Sequence, residues 1–237
     1  MSTVNSEQVQ ALFNEIAPVY DQLNAWLSLG QHRVWKQMAI RWANPQPNGL
    51  NLDLCCGSGD LSLMTARTLR GSGQVIGIDF SGRQLDVART RAQGLHWADT
   101  LQWIESDVLT LPLPNSSVDA VTMGYGLRNV MDIPKALSEI YRVLKPGSNA
   151  AILDFNRPTA EVMQQFQRWY LRQIVVPIAS QFNLKEEYAY LETSIARFPT
   201  GPEQVQLATQ AGFEAVRHYA IAADTMGILV MSKPRSI

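Results

Sequence analysis

Cysteine is nearly absent from this chain: Cys55 and Cys56 are the only two among 237 residues, and they are neighbours. Adjacent cysteines rarely bridge and lack the spacing of metal ligands, which excludes a disulfide scaffold and a thiolate metal centre and points to a reducing cytosol. An excess of charge is missing too. The 20 Lys and Arg residues and the 21 Asp and Glu residues are interspersed, for a net charge of −1. Nucleic-acid binding needs a concentrated basic face, so no nucleic-acid partner is expected. No apolar run reaches the roughly eighteen residues of a spanning helix. The N-terminal MSTVNSEQVQ has neither the apolar core of a secretory signal nor the arginine-rich character of an organelle import leader. A cytoplasmic protein is expected, at most peripheral to a membrane. Repeats and low-complexity stretches are also lacking.

Hydrophobic residues make up 46% of the chain and charged residues 17%, the balance of a globular domain. Helices are predicted over about 7–17, with Phe13 and Ile16 on one side, and over about 31–42, ahead of the turn-rich Asn44-Pro45-Gln46-Pro47-Asn48-Gly49. Strands are predicted at 50–54, 75–78, 101–105, 118–123, 150–153, 215–220 and 228–232. Helices should follow from Asp60 to Leu69, after an N-cap at Ser81, after Asp132 through Leu144, and over about 201–211. Alternating strands and helices require a mostly parallel sheet covered on both faces, and the last two strands add an antiparallel member. The fold class is therefore α/β and Rossmann-like, with seven strands. Residues 1–45 read as a helical accessory lobe, and 46–237 as the main domain with a helical cap inserted at about 159–198.

Leu50-Asn51-Leu52-Asp53-Leu54 runs into Cys55-Cys56-Gly57-Ser58-Gly59-Asp60-Leu61, and the next apolar run ends in Asp79, twenty positions after Gly59. A strand, a glycine-rich turn, a helix and a second strand ending in a carboxylate form half of a nucleotide-binding βαβ unit. A dinucleotide site presents backbone N–H groups to a pyrophosphate, so its first strand should not end in a negative charge. Asp53 stands there, and Ser62 replaces the third glycine of the dinucleotide fingerprint. Both argue against a nicotinamide oxidoreductase. A carboxylate at that place suits a cationic ligand such as S-adenosylmethionine, with its ammonium and sulfonium, and the reading is a methyltransferase without a metal. Gly57 and Gly59 would let the backbone approach the cofactor, and Ser58 offers a hydroxyl donor. Asp79 is placed to accept from both ribose hydroxyls, Asp107 from the adenine amine, and Val108 offers a backbone N–H to the ring. Gly124, at the end of strand four, belongs to the same cofactor set.

The segment Gly124-Tyr125-Gly126-Leu127-Arg128-Asn129-Val130 should lie opposite the cofactor sulfur, where Arg128 and Asn129 are donors suited to a developing oxyanion. A structural ion pair is the plainer role for Arg128. Arg142-Val143-Leu144-Lys145-Pro146-Gly147 reads as a helix C-terminus whose cations complement the dipole, and the two cysteines as small packing residues. His32 is a candidate base, although a lone histidine is more often structural. Phe166, Trp169, Tyr170, Ile174 and Ile178 recur at helical spacing, as a core face or as one that meets lipid or ligand.

These segments together resemble the UbiE/MenG family of quinone-ring C-methyltransferases. One signature matches at Tyr20, Asp21, Asn24, Ser28, Gly30, His32, Arg33, Trp35 and Lys36, and the second at 126–130 and 142–147. Leu54 to Leu61, Met123 to Gly126, Leu153 to Asn156 and Met226-Gly227 are similar to the family's phylloquinone branch from oxygenic phototrophs; the missing transit leader favours its cyanobacterial form. The resemblance implies transfer of a methyl group from S-adenosylmethionine to the naphthoquinol ring of demethylphylloquinone, the last step of phylloquinone synthesis. Another prenylated quinol such as demethylmenaquinol, or a domain that binds S-adenosylmethionine without catalysis, are the alternatives. The base would come from Tyr20, Asp21, Asp60 or His32. The partner implied is a prenylated naphthoquinol, with the cap against the membrane surface, and the chain is compatible with a homodimer.

Overall fold

The computed structural model describes residues 30–175, 177 and 185–235. The elements follow as α1 (His32–Ala43), β1 (Leu50–Leu54), α2 (Asp60–Leu69), β2 (Gln74–Asp79), α3 (Gly82–Ala92), β3 (Leu101–Glu105), β4 (Val118–Gly124), α4 (Ile133–Val143) and β5 (Leu144–Phe155). After these come α5 (Glu161–Tyr170), α6 (Lys185–Arg197), α7 (Gly201–Gln210), β6 (Glu214–Ile221) and β7 (Met226–Ser232). The strands form one sheet in the order β3-β2-β1-β4-β5-β7-β6. β1 to β5 pair in parallel, and β7 runs antiparallel to both β5 and β6. The chain reverses its direction of travel across the sheet between β1 and β4. There the carboxyl ends of adjacent strands leave a crevice, the ordinary ligand position of open α/β sheets.

Local chemistry accounts for the borders of these elements. Ser81 caps α3 by accepting from the Gln84 N–H at 3.2 Å, and Asp132 caps α4 by accepting from Lys135 N–H at 3.0 Å. The core lies between the sheet and its helices: Leu52, Leu54, Ile78, Val121, Met123, Leu137, Ile140 and Ile152 are all buried in one cluster.

Three departures from the sequence reading have physical causes. First, the division at residue 45 does not separate α1 from the sheet. Ala39 and Ala43 pack against Ala120, Ala151, Leu153 and Ile228, because small side chains let a helix approach strands closely. Residues 1–29, and with them the predicted first helix, Tyr20 and Asp21, lie outside the described residues. Second, α4 ends at Val143 and β5 begins at Leu144, running through Lys145-Pro146-Gly147 past a register shift against β4. Arg142 lies in the last turn of α4, where its charge complements the dipole, and it also clamps the β3–β4 connection, donating to the carbonyls of Leu111 at 3.0 Å and Leu113 at 2.7 Å. Third, Phe166 and Trp169 on α5 do not form a core face: they are 47% and 53% exposed among the described residues. Their rings stack on each other at 6.1 Å. Ile178 lies outside the described residues.

Candidate active site

At the crevice lies an open cleft walled by the glycine turn, the ends of β1, β2 and β4, the start of the β3–β4 connection, and Lys36 of α1. Two glycines make the turn geometrically feasible. Gly59 has φ +84°, and a Cβ there would stand 2.6 Å from the Trp103 ring and 3.0 Å from Ala88. Gly126, across the cleft, sits against Cys55: an added Cβ would lie 2.5 Å from the cysteine's own Cβ. Cys55 and Cys56 are free thiols packed into the cleft wall, and burial pushes both well above the usual thiol range.

Asp53 is 1% exposed. It accepts from the Ser62 hydroxyl at 2.6 Å and the Thr122 hydroxyl at 3.0 Å. Burial pushes its carboxyl up to about 7, against the pull of those two bonds and the nearby charge of Lys36. Asp53 therefore has neutral hydroxyls as hydrogen-bond partners and gains by meeting a cation in the cleft. Asp79 accepts from Gly57 N–H at 2.8 Å and Ser81 N–H at 2.9 Å, tying the glycine turn to the start of α3, and burial raises its carboxyl. Asp107 is exposed at the rim and accepts from Leu109 N–H at 2.9 Å, while Val108 is buried beside it. Ser58 is buried; its hydroxyl and carbonyl accept from Arg91 at 2.9 and 3.0 Å. Asp53, Gly57, Ser58, Asp79, Asp107, Val108 and Gly124 all line the cleft, while Gly59 lies one layer below.

The predicted catalytic residues fare differently. Asn129 lines the cleft, and its buried Oδ1 has no hydrogen-bond partner among the described residues. Arg128 is not among the lining residues. Its guanidinium donates to Asp154 at 2.7 Å and to the Tyr125 carbonyl, stacks 5.1 Å from the Phe155 ring centre, and its own N–H reaches Asp154 at 3.0 Å. The ion-pair role is the one this geometry supports, because a guanidinium buried beside a carboxylate is held there by the cost of separating them. His32 is buried and also absent from the lining. Asp60 lines the cleft between two cations, Lys36 and Arg91, each at 2.6 Å. Burial would raise its carboxyl, but Lys36 and Arg91 outweigh it and hold the group down to about 2. Such a carboxylate is a poor proton acceptor near neutral pH.

The ubiE/COQ5 methyltransferase family's sequence profile matches residues 1–233. The chain belongs to the ubiE/COQ5 methyltransferase family. A protein of Trichormus variabilis named 2-phytyl-1,4-naphtoquinone methyltransferase is 54% identical over 228 residues, spanning 96% of this chain and 100% of the relative. The Arabidopsis thaliana 2-phytyl-1,4-beta-naphthoquinone methyltransferase, chloroplastic, is 48% identical, spanning 95% of this chain and 87% of that one. The crystal structure of a SAM-dependent methyltransferase from Aquifex aeolicus superposes with a TM-score of 0.60 at 17% identity, over 83% of this chain and 88% of that one. That likeness confirms the α/β methyltransferase fold.

Within this family member, several side chains that shape the cleft escaped sequence reasoning. Ser62 and Thr122 hold Asp53 from positions 9 and 69 residues away. Lys36 entered only as a letter of the family signature, and Arg91 did not enter at all. Ser62 had a local signal: a hydroxyl in place of the third fingerprint glycine, just past the turn that follows the carboxylate-bearing strand. Arg91 had none.

Proposed function

We propose that this protein transfers the methyl group of S-adenosylmethionine to a ring carbon of reduced 2-phytyl-1,4-naphthoquinone. The observation that carries this reading is the 54% identity over the whole length of a relative named for that substrate. The residues of the cleft fit the cofactor. Asp53 suits the ammonium, Asp79 the ribose hydroxyls, and the rim at Asp107 and Val108 the adenine. S-Adenosylmethionine, when bound, supplies an electrophilic methyl group. A quinone ring is electron-poor and does not attack such a group, whereas a quinol that has lost a phenolic proton carries a nucleophilic ring carbon. The chain must therefore hold the ring in line, accept a proton and stabilise the resulting oxyanion. Asn129 is our choice for polar contact with the ring oxygens, and Arg128 acts through it by holding the loop. Tyr20, Asp21 and His32 remain the candidates for proton transfer, with Asp60 set aside. The prenyl chain needs an apolar path, and exposed Val162, Phe166 and Trp169 on α5 support contact of this face with the bilayer. No helix among the described residues is long and apolar enough to cross a membrane. Transfer of labelled methyl from S-adenosylmethionine to the phytyl naphthoquinol tests the reading; binding without transfer would leave a scaffold domain instead.

Two outcomes bear on the cofactor residues. Asp79→Ala is expected to weaken S-adenosylmethionine binding by about tenfold or more, the usual effect of losing hydrogen bonds to a charged acceptor. Calorimetry showing unchanged affinity in the folded variant would remove the ribose assignment. Asp53 makes binding depend on pH. Its carboxyl lies at about 7 in the ligand-free fold against 3.8 in a free side chain. The folded chain thus holds this proton more tightly than the unfolded chain, and Asp53 costs stability as pH rises from 3.8 to about 7. A cationic ligand competes with the same proton. Affinity should fall by up to about tenfold per pH unit below neutrality. Asp53→Asn should bind weakly, with a flat pH profile and a higher ligand-free melting temperature above pH 7. Titration calorimetry giving the wild type a flat profile from about pH 5.5 to 8 would contradict the role of Asp53.

A further inference from the structure

We propose that Lys36 binds the α-carboxylate of S-adenosylmethionine, so that α1 supplies part of the cofactor site. This rests on the cofactor reading above and adds a residue to it. The methionine end of the cofactor is a zwitterion, and Asp53 accounts for its ammonium alone. The carboxylate must then enter a cleft whose lining also carries Asp60, Asp79 and Asp107, each of which would repel it. Among the described lining residues Lys36 is the one cationic side chain.

Lys36 is placed for that work. It is 5% exposed, an uncommon state for a lysine, which is seldom fully buried without a partner. Its Nζ lies 2.6 Å from Asp60 and 5.7 Å from the Tyr125 ring centre, both residues of the cleft lining. Asp60 does not consume its charge. Arg91 also binds Asp60 at 2.6 Å, so that carboxylate has a cation of its own. An ammonium has three donors, and Asp60 accepts one of them among the described residues. Across Asp53, Lys36, Asp60 and Arg91 there are two negative and two positive side chains. Pairing Asp60 with Arg91 leaves Asp53 and Lys36 to meet a zwitterion, each opposite the charge it attracts. Asp60, which Lys36 contacts at 2.6 Å, stands two residues before Ser62, whose hydroxyl donates to Asp53 at 2.6 Å, so the two groups lie at the same end of the cleft. Asp60 is then a positioning residue that orients Lys36.

The test compares two ligands that differ in one group: S-adenosylhomocysteine and its decarboxylated analogue, S-adenosyl-3-thiopropylamine. Calorimetry on the wild type should find the decarboxylated analogue weaker by about tenfold to a hundredfold. Lys36→Met should lose a similar factor for S-adenosylhomocysteine and change its affinity for the analogue by less than about twofold, while Lys36→Arg should keep most of the discrimination. If Lys36→Met weakens both ligands alike, Lys36 does not meet the carboxylate and the proposal is overturned while the cofactor reading stands. If the wild type binds neither ligand, the cofactor reading falls and this proposal with it. Should Lys36→Met not fold, the Lys36 ammonium resonance of wild-type protein labelled with 15N-lysine, assigned through Lys36→Arg, decides the matter. It should shift on adding S-adenosylhomocysteine and stay in place with the analogue; equal shifts with both would overturn the assignment.

Discussion

Assayed under air with oxidised 2-phytyl-1,4-naphthoquinone, the protein is expected to transfer almost no methyl group. The ring carbon gains nucleophilicity only through electron donation from an ionised hydroxyl, and the oxidised ring has no hydroxyl to ionise. A reductant that generates the quinol should restore activity by about a hundredfold or more, the least that proton removal in a positioned site usually contributes. Rates should then rise with pH until loss of the phenolic proton ceases to limit them. Product formation followed by mass spectrometry, with the redox state of the substrate monitored in parallel, checks this. Equal rates from both forms, while the oxidised form demonstrably persists, would sink the quinol mechanism. The methyltransferase assignment would survive, since it rests on the family match and on the cleft.

Arg128→Ala is expected to act first on stability. The side chains of Arg128 and Asp154 are 5% and 4% exposed, so removing the cation strands a carboxylate away from water. Breaking a buried pair in this way costs on the order of 3–5 kcal/mol. In a chain of this size that is a fall in melting temperature of roughly 6–20 °C. Asp154 keeps the N–H groups of Arg128 and Phe155 at 3.0 and 2.8 Å, which places the outcome toward the lower end. The double variant Arg128→Met/Asp154→Leu should regain much of the loss, because no charge is then left unpaired. Turnover separates the two roles. A residue that only holds the loop should show turnover recovering with stability in the double variant. A residue that stabilises the oxyanion should leave the refolded double variant about a hundredfold slow.

What the chain determined by itself was largely local. Strand and helix periods, caps at Ser81 and Asp132, and breakers around Asn44 to Gly49 act over a few residues, so the order of elements and the βαβ unit around Gly57 are legible in the sequence. The carboxylates Asp53 and Asp79 were also legible, since a charge ending an apolar strand stands out against its neighbours. Tertiary structure alone decided what those charges meet. Thr122 reaches Asp53 only because β4 lies beside β1, although 69 positions separate them. Asp60 becomes an ion-pair hub rather than a base because α1 and α3 bring in cations from 24 and 31 positions away. Arg128 turns from the cleft to Asp154 because β5 runs alongside β4. Coulombic and hydrogen-bond partners depend on distance in space, which a pattern of 2.0 or 3.6 residues does not encode across a crossover. The protonation state and the task of each charged side chain in this site are therefore set by strand order and helix packing.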